Sequence, residues 1–402
     1  MKTIVLVCDG MADEPVEQLE GKTPLEAAKH PHMDALAKGG KVGLARTIAP
    51  GFVPASDVGN MCILGYDPHK YYSGRGPLEA ANMGVELKEG DVAFRCNLVT
   101  VDGDKLMDYS AGHITSEESR KLIEFVGGKI GSAHLRFYPG IQYRHLAVFR
   151  EPALTDPLLK TVCSPPHDIM GWKISEHWPT GPAAQRLVEL MEESRLLLPT
   201  HEVNHVRVDL KENPGNMIWL WGQGTKLHIP TFSERWEVTG SVISAVDLVK
   251  GAGRLAGLEV LEVPGATGYY DTNYLGKAKA ALKSLKKHDF VFVHVEAADE
   301  AGHNGDLRQK IRAIENFDRH VVGTIVEGVR SLKEVRILVI PDHPTPVARR
   351  THTADPVPFL IWGKGIAPGT VGGFGETKAK ESGWLVEDAH EILPRLLTEK
   401  TL

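Results

Sequence analysis

The sequence predicts an α/β fold: a mostly parallel sheet flanked by helices, with an inserted α+β domain. Three observations carry that expectation. Short runs rich in β-branched and aromatic residues recur as IVLVC (4–8), DFVFVHV (289–295), VRILVI (335–340) and VPFLIW (357–362). Unbroken apolar runs of this kind are strands buried on both faces, as in parallel sheets. Helix-period segments stand between them, and that alternation argues for helices covering the sheet. The middle of the chain breaks the pattern, with alternating strands among Pro- and Gly-rich loops such as SPPHDIMGW (164–172).

IVLVC is a strand that ends at Asp9-Gly10, a turn pair. TPLEAAKHPHMDALAKGG (23–40) reads as one helix. Thr23 is its N-cap, Pro24 its first residue, Glu26 completes a capping box, and Gly39-Gly40 stop it. APGFVPASDVGNMCILGYDP (49–68) is a loop opening a helix over 57–64. Residues 88–210 form the inserted domain, with strands at QYRHLAVF (142–149) and HVRVDL (205–210); residues 1–87 and 211–402 form the core. MIWLWG (217–222) is core packing, and GQGTK (222–226) is a turn, because it lacks the strand–loop–helix context of a phosphate loop. SVISAVDLVKGAGRLAGLEV (241–260) reads as helix leading into strand. TNYLGKAKAALKSLKKH (272–288) is a helix, and LRQKIRAIENFDRHVVGTIVEGVRSL (307–332) a long amphipathic one.

Composition narrows the function. The chain has 402 residues, 42% hydrophobic and 24% charged, with a net charge of -6. This is enough for a sizeable core. An acidic chain without a long Lys/Arg run is a poor nucleic-acid or membrane-surface binder, though a local Arg cluster can still hold an anion. Cys8, Cys62, Cys96 and Cys163 form no CxxC pair and fit reduced thiols in the cytoplasm. The apolar run in MKTIVLVCDG is too short for a signal peptide, and no stretch approaches the ~20 residues of a membrane span. Oligomeric state is open.

The chemistry gathers where strands end. In open α/β sheets ligands collect at the carboxyl edge. Asp9 follows the first strand, Asp299-x-x-x-His303 follows 289–295, Asp342-His343 follows 335–340, and His352 precedes 357–362. Each has a bland alternative: Asp9 as turn former, Asp299 as helix cap, a surface His303. Jointly, carboxylates and imidazoles are a donor set for Zn²⁺, Mn²⁺ or a similar ion. Two such ions roughly 3.5–4 Å apart clamp a transferring phosphoryl group. Ser56, opening a helix, is either the nucleophile or an N-cap.

These residues, with TPLEAA, SGRGPLEAANMG, AFRCNL, YRHL, PPHDI and PVPFLIWG, resemble the alkaline phosphatase superfamily. More narrowly, nearly the whole chain resembles the archaeal-type cofactor-independent phosphoglycerate mutases. The resemblance implies an alkaline-phosphatase-like core and two divalent metal sites. One would be Asp9, Ser56, Asp342 and His343; the other Asp299, His303 and His352. Mn²⁺ is the first expectation, with Mg²⁺, Zn²⁺ or Co²⁺ as alternatives. Ser56 would carry the phosphoryl group between the 3- and 2-positions of a glycerate that the inserted domain traps.

A phosphorylated carboxylate calls for the bidentate fork of arginine. Arg75, Arg95 and Arg144 are candidates for it, and His113, His167 and Asp168 for hydroxyl binding or proton handling. Their bland alternatives are an Arg75–Glu79 pair, a solvated Arg144 and a loop-fixing His167. Lys277 reads as part of a solvated helix face. The competing functions are a homoserine-kinase-like phosphoryl transfer and a metal-dependent phosphatase. The first lacks a nucleotide motif; the second has no need of a large inserted domain.

Overall fold

The computed structural model describes residues 1–399 and 401, which divide into two compact units: Met1–Tyr72 with Ile229–Leu402, and Ser73–His228. The first unit is built on eight strands: β1 (Lys2–Cys8), β2 (Lys41–Ala45), β8 (Gly240–Ile243), β9 (Glu259–Val260), β10 (Phe290–Val295), β11 (Val335–Ile340), β12 (Val357–Gly363) and β13 (Leu385–Val386). They run in the order β13-β2-β12-β11-β1-β10-β8-β9. β1 pairs in parallel with β10 and β11, as β10 does with β8, while β12 is antiparallel to both β11 and β2. The mostly parallel sheet is therefore present. Val5, Leu6, Phe292, Val293, Val339 and Ile340 are fully buried on it, which accounts for the unbroken apolar runs.

The second unit carries β3 (Val92–Asp102), β4 (Lys105–Asp108), β5 (Leu135–Tyr138), β6 (Arg144–Phe149) and β7 (Met217–Thr225). Long β3 sits between β6 and β7, antiparallel to both. Helices 116–130 and 184–197 bury Leu122, Ile123, Val126, Leu187 and Met191 in this unit's core.

Several expectations need correction. The units divide at Tyr72/Ser73 and His228/Ile229 rather than at 87/88 and 210/211, because β7 pairs with β3 and belongs to that sheet. The capping box at Thr23 is present, but the 23–40 helix is two, Pro24–Ala27 and Pro31–Gly39. Pro31 has no amide for a continuous ladder, and the Asp318 carboxylate accepts from His32 N (3.2 Å) and Met33 N (2.8 Å) at the new helix start. Residues 240–243 are strand, and the helix begins at Asp247. HVRVDL belongs to helix 202–209, which buries Val203, Asn204 and Arg207 and leaves Val206, Val208 and Leu210 exposed. Its alternation is one a helix also permits. The 307–332 helix widens into a π turn at Phe317–Val322. GQGT lies within β7 rather than in a turn. Among the described residues no helix is long and apolar enough to cross a membrane.

Candidate metal centre

Strand register assembles the centre. Cys8 pairs with Val295, and Val7 with Ile340, so Asp9, Glu296 and Asp342 leave the sheet at one edge. β12 is antiparallel to β11, so the residues before it, including His352, stand at the edge where β11 ends. β2 ends at that edge too, since Ala45 pairs with Val357, and the chain then leads to helix Ser56–Ile63. Small residues make the approach possible. Gly10 has φ 63°, and a Cβ there would lie 2.6 Å from the Asp299 Cα; one on Gly59 would lie 2.6 Å from the Asp342 carbonyl.

Ser56 does not cap its helix; Ala55 holds the N-cap position. The Ser56 Oγ instead lies 3.0 Å from His343 Nε2. That nitrogen is 3.6 Å from Asp9 Oδ1 and 3.5 Å from Asp342 Oδ2. The four side chains form one group. Beside it, Asp299 Oδ2 is 3.3 Å from His303 Nε2, Asp299 Oδ1 is 3.3 Å from His352 Nε2, and the two imidazoles approach to 2.9 Å.

Hydrogen bonds behind the imidazoles settle which nitrogen faces inward. His303 Nδ1 meets the Arg350 carbonyl at 3.1 Å and His352 Nδ1 meets the Pro54 carbonyl at 3.2 Å. A carbonyl only accepts, so both Nδ1 atoms carry protons. In the neutral rings both Nε2 lone pairs then converge on Asp299. The Thr345 hydroxyl donates to Asp299 Oδ1 at 2.5 Å and so accepts from His343 Nδ1 at 3.2 Å. The His343 Nε2 lone pair therefore faces Asp9, Asp342 and Ser56. Backing by carbonyls, hydroxyls and carboxylates is the usual support of metal-ligating histidines.

Charge points the same way. Asp9 and Asp342 are fully buried, and neither Asp9 oxygen makes an aligned hydrogen bond. Burial, then the neighbouring carboxylates Asp342, Asp299 and Glu296, push the Asp9 carboxyl well above its usual range. Burial likewise raises Asp342, against the pull of His294. Burial would raise Asp299 too, but His303 and His352 hold it well below the usual range. Burial lowers His303, yet Asp299 outweighs it and lifts the imidazole to about 9. His343 falls well below the ordinary histidine value through burial and the nearby His352. Asp9 and Asp342, buried together with no Lys or Arg paired to them among the described residues, call for a bound cation, and this oxygen–nitrogen set fits a divalent one.

The second unit forms a cluster of its own. Glu79 is the shared counterion of Arg95 and Arg75, the latter at 3.5 Å. Burial would raise Glu79, but Arg95, Arg75 and Arg144 hold it below its usual value. The Trp221 ring lies 5.2 Å from the Arg75 guanidinium carbon and 5.8 Å from that of Arg95. Arg144 lies over the Tyr143 ring. His167 packs edge-on to Trp221 and Tyr109 and stands 3.7 Å from Asp168. His113 is exposed, with φ 51°. The Arg75–Glu79 pair foreseen as a bland alternative exists, and the same carboxylate also pairs with Arg95.

Other participants escaped the sequence reading. Asn60, one helical turn after Ser56, donates to Asp342 Oδ2 at 2.7 Å and to the Ser56 carbonyl at 2.9 Å, and its i+4 spacing was a usable signal. Thr345 follows Asp342-His343 by two residues. Glu296 lies with Asp9 and Asp299 in a potential ligand group. Lys277 is fully buried rather than solvated; burial lowers it to about 8, and its ammonium donates to the His294 carbonyl at 2.9 Å.

The chain is similar to known proteins along its whole length. Residues 37–204 match the model of the 2,3-bisphosphoglycerate-independent phosphoglycerate mutase family. The enzyme of that name from Methanothrix thermoacetophila is 50% identical over 398 residues, covering 99% of this chain and all of that one. A solved Pyrococcus horikoshii protein superposes with a TM-score of 0.83 at 32% identity, over 100% of this chain and 98% of that one. The cofactor-independent phosphoglycerate mutase of Thermoplasma acidophilum gives 0.64 at 29% identity, over 99% and 100%. Half-identity across the full length, together with the fold, makes this chain a member of the 2,3-bisphosphoglycerate-independent phosphoglycerate mutase family.

Proposed function

We propose that the protein interconverts 3-phosphoglycerate and 2-phosphoglycerate through a phosphoserine on Ser56, without a bisphosphoglycerate cofactor. The observation that carries this is the Ser56 hydroxyl standing 3.0 Å from His343 Nε2, beside two buried carboxylates, at the start of its helix. A hydroxyl held only to cap its helix would be turned toward the helix amides.

Asp9, Ser56, Asp342 and His343 would hold one divalent cation, and Asp299, His303 and His352 a second. Mn²⁺ is the first choice, with Mg²⁺, Zn²⁺ or Co²⁺ as alternatives. Bound cations would neutralise phosphoryl charge and favour the ionised serine. Ser56 Oγ attacks phosphorus in line, the bond to the 3-oxygen breaks, and that oxygen takes up a proton equivalent to the one Ser56 gives up. The glycerate 2-hydroxyl then attacks the phosphoserine and reverses the exchange, with no net proton change. The amides opening helix 56–63 would favour the phosphoryl charge on Ser56. Asn60 and Thr345 hold Asp342 and Asp299 in place.

Arg75, Arg95 and Arg144 have the chemistry to hold the substrate's phosphate and carboxylate. His113, His167 and Asp168 are proposed for its hydroxyls. The test is ³¹P NMR with Mn²⁺ and 3-phosphoglycerate and no bisphosphoglycerate. Appearance of 2-phosphoglycerate with little free phosphate is expected. Free phosphate alone would mean a hydrolase, and Ser56→Ala retaining substantial mutase activity would sink the phosphoserine route.

A further inference from the structure

His294 lies inside β10 and had no part in the sequence expectation. Its partner Val7 in the register puts its side chain on the sheet face that Asp9 shares two residues on. The side chain is fully buried, and its Nε2 lies 3.0 Å from Asp9 Oδ2. On the other side its Nδ1 lies 3.2 Å from the Ser244 Oγ, in the turn after β8. The Ser244 Oγ already accepts the Val246 amide at 2.9 Å, so its one hydrogen is available to His294 Nδ1. The opposite tautomer would set an Nε2 lone pair against the Asp9 carboxylate. Both facts favour the proton on Nε2, on the side of Asp9 Oδ2, where the 3.0 Å approach is a close charge contact rather than an aligned hydrogen bond. Lys277 anchors the same residue from its backbone, through the His294 carbonyl at 2.9 Å.

We infer that His294 is a positioning residue. Its Nε2–H, oriented by Ser244, attracts Asp9 Oδ2 across the 3.0 Å contact and leaves Oδ1 toward His343 and the cation those residues would hold. His294 is not itself a ligand in this arrangement, because the nitrogen facing Asp9 carries the proton. The inference rests on the two-cation reading above. It extends that reading by one residue, whose work is to select which oxygen of Asp9 binds.

The experiment is Mn²⁺ titration of chelator-stripped protein, read by electron paramagnetic resonance of free Mn²⁺ and by elemental analysis after gel filtration. Wild type is expected to load two ions. His294→Leu is expected to weaken one site by about 10–100-fold and leave the other unchanged. His294→Gln, whose amide N–H reaches the place of Nε2–H, should recover most of that loss. Urea unfolding of the stripped proteins separates a general folding defect from a selective one. Should His294→Leu fail to fold, Ser244→Ala takes its place, with a smaller weakening confined to one site.

Two ions bound by His294→Leu, or by Ser244→Ala in its stead, with wild-type affinity would overturn the inference. So would a folded His294→Gln that binds no better than His294→Leu. Fewer than two ions in wild type would instead bring down the two-cation reading and the inference with it.

Discussion

Asp299 and His303 show how one pair of side chains can serve two states. In the metal-stripped protein His303 is lifted to about 9 from 6.5 by Asp299. A folded pKa above the unfolded one means stabilisation that is complete below about pH 6.5 and lost as pH climbs toward about 9. Stripped protein should therefore unfold at lower urea at pH 9 than at pH 6.5. His303→Gln should flatten that slope, and an unchanged slope would show that another group titrates. Removing ligands tests the centre directly: Asp342→Asn and His303→Ala should each lower bound metal in elemental analysis. Unchanged stoichiometry in both would misplace the sites. The candidate ligands were readable as residues, since the aspartates and histidines lie near the ends of apolar runs and Ser56 opens a helix. Thr345 and His294 were not, because they act through contacts with other side chains of the centre and leave little spacing pattern of their own, whereas Asn60 left only its i+4 spacing from Ser56.

Helix 56–63 has to lie flush against the end of β11 if Ser56 is to meet His343. Gly59 makes that contact possible. In an exposed helix, Gly→Ala would be favourable by roughly 1 kcal/mol. Here the added carbon would sit 2.6 Å from the Asp342 carbonyl. Gly59→Ala is expected to destabilise by about 1–3 kcal/mol in urea unfolding and to reduce metal loading. Wild-type stability and loading would refute the close approach. Element reading succeeded where composition was one-sided, as in β1, β10 and β11. It failed where a distant residue decided: Asp318 starts a new helix at Pro31, and burial of Arg207 against Glu118 and the Ala111 carbonyl makes 202–209 a helix.

Each compact unit has its own hydrophobic core. Ser73–His228 is continuous in sequence, and the Ser73 hydroxyl donates to the Thr225 carbonyl at 2.7 Å, so its two ends meet. Expressed alone, residues 73–228 should give a single cooperative thermal transition by circular dichroism and bind no Mn²⁺. Absence of a transition would mean that its core depends on the rest of the chain.

The sequence by itself determined the α/β class, the strands that carry the centre and all seven ligand candidates. Apolar runs and the polar residues that end them are local properties. Tertiary structure decided the rest. The antiparallel turn of β12 sets His352 at the edge where β11 ends, and pairing of β7 with β3 moves the unit boundary to Ser73 and His228. Carbonyl and hydroxyl partners from remote loops fix which imidazole nitrogen faces the centre. Pairing partners and hydrogen-bond partners are chosen by residues tens to hundreds of positions away, and no local pattern records them.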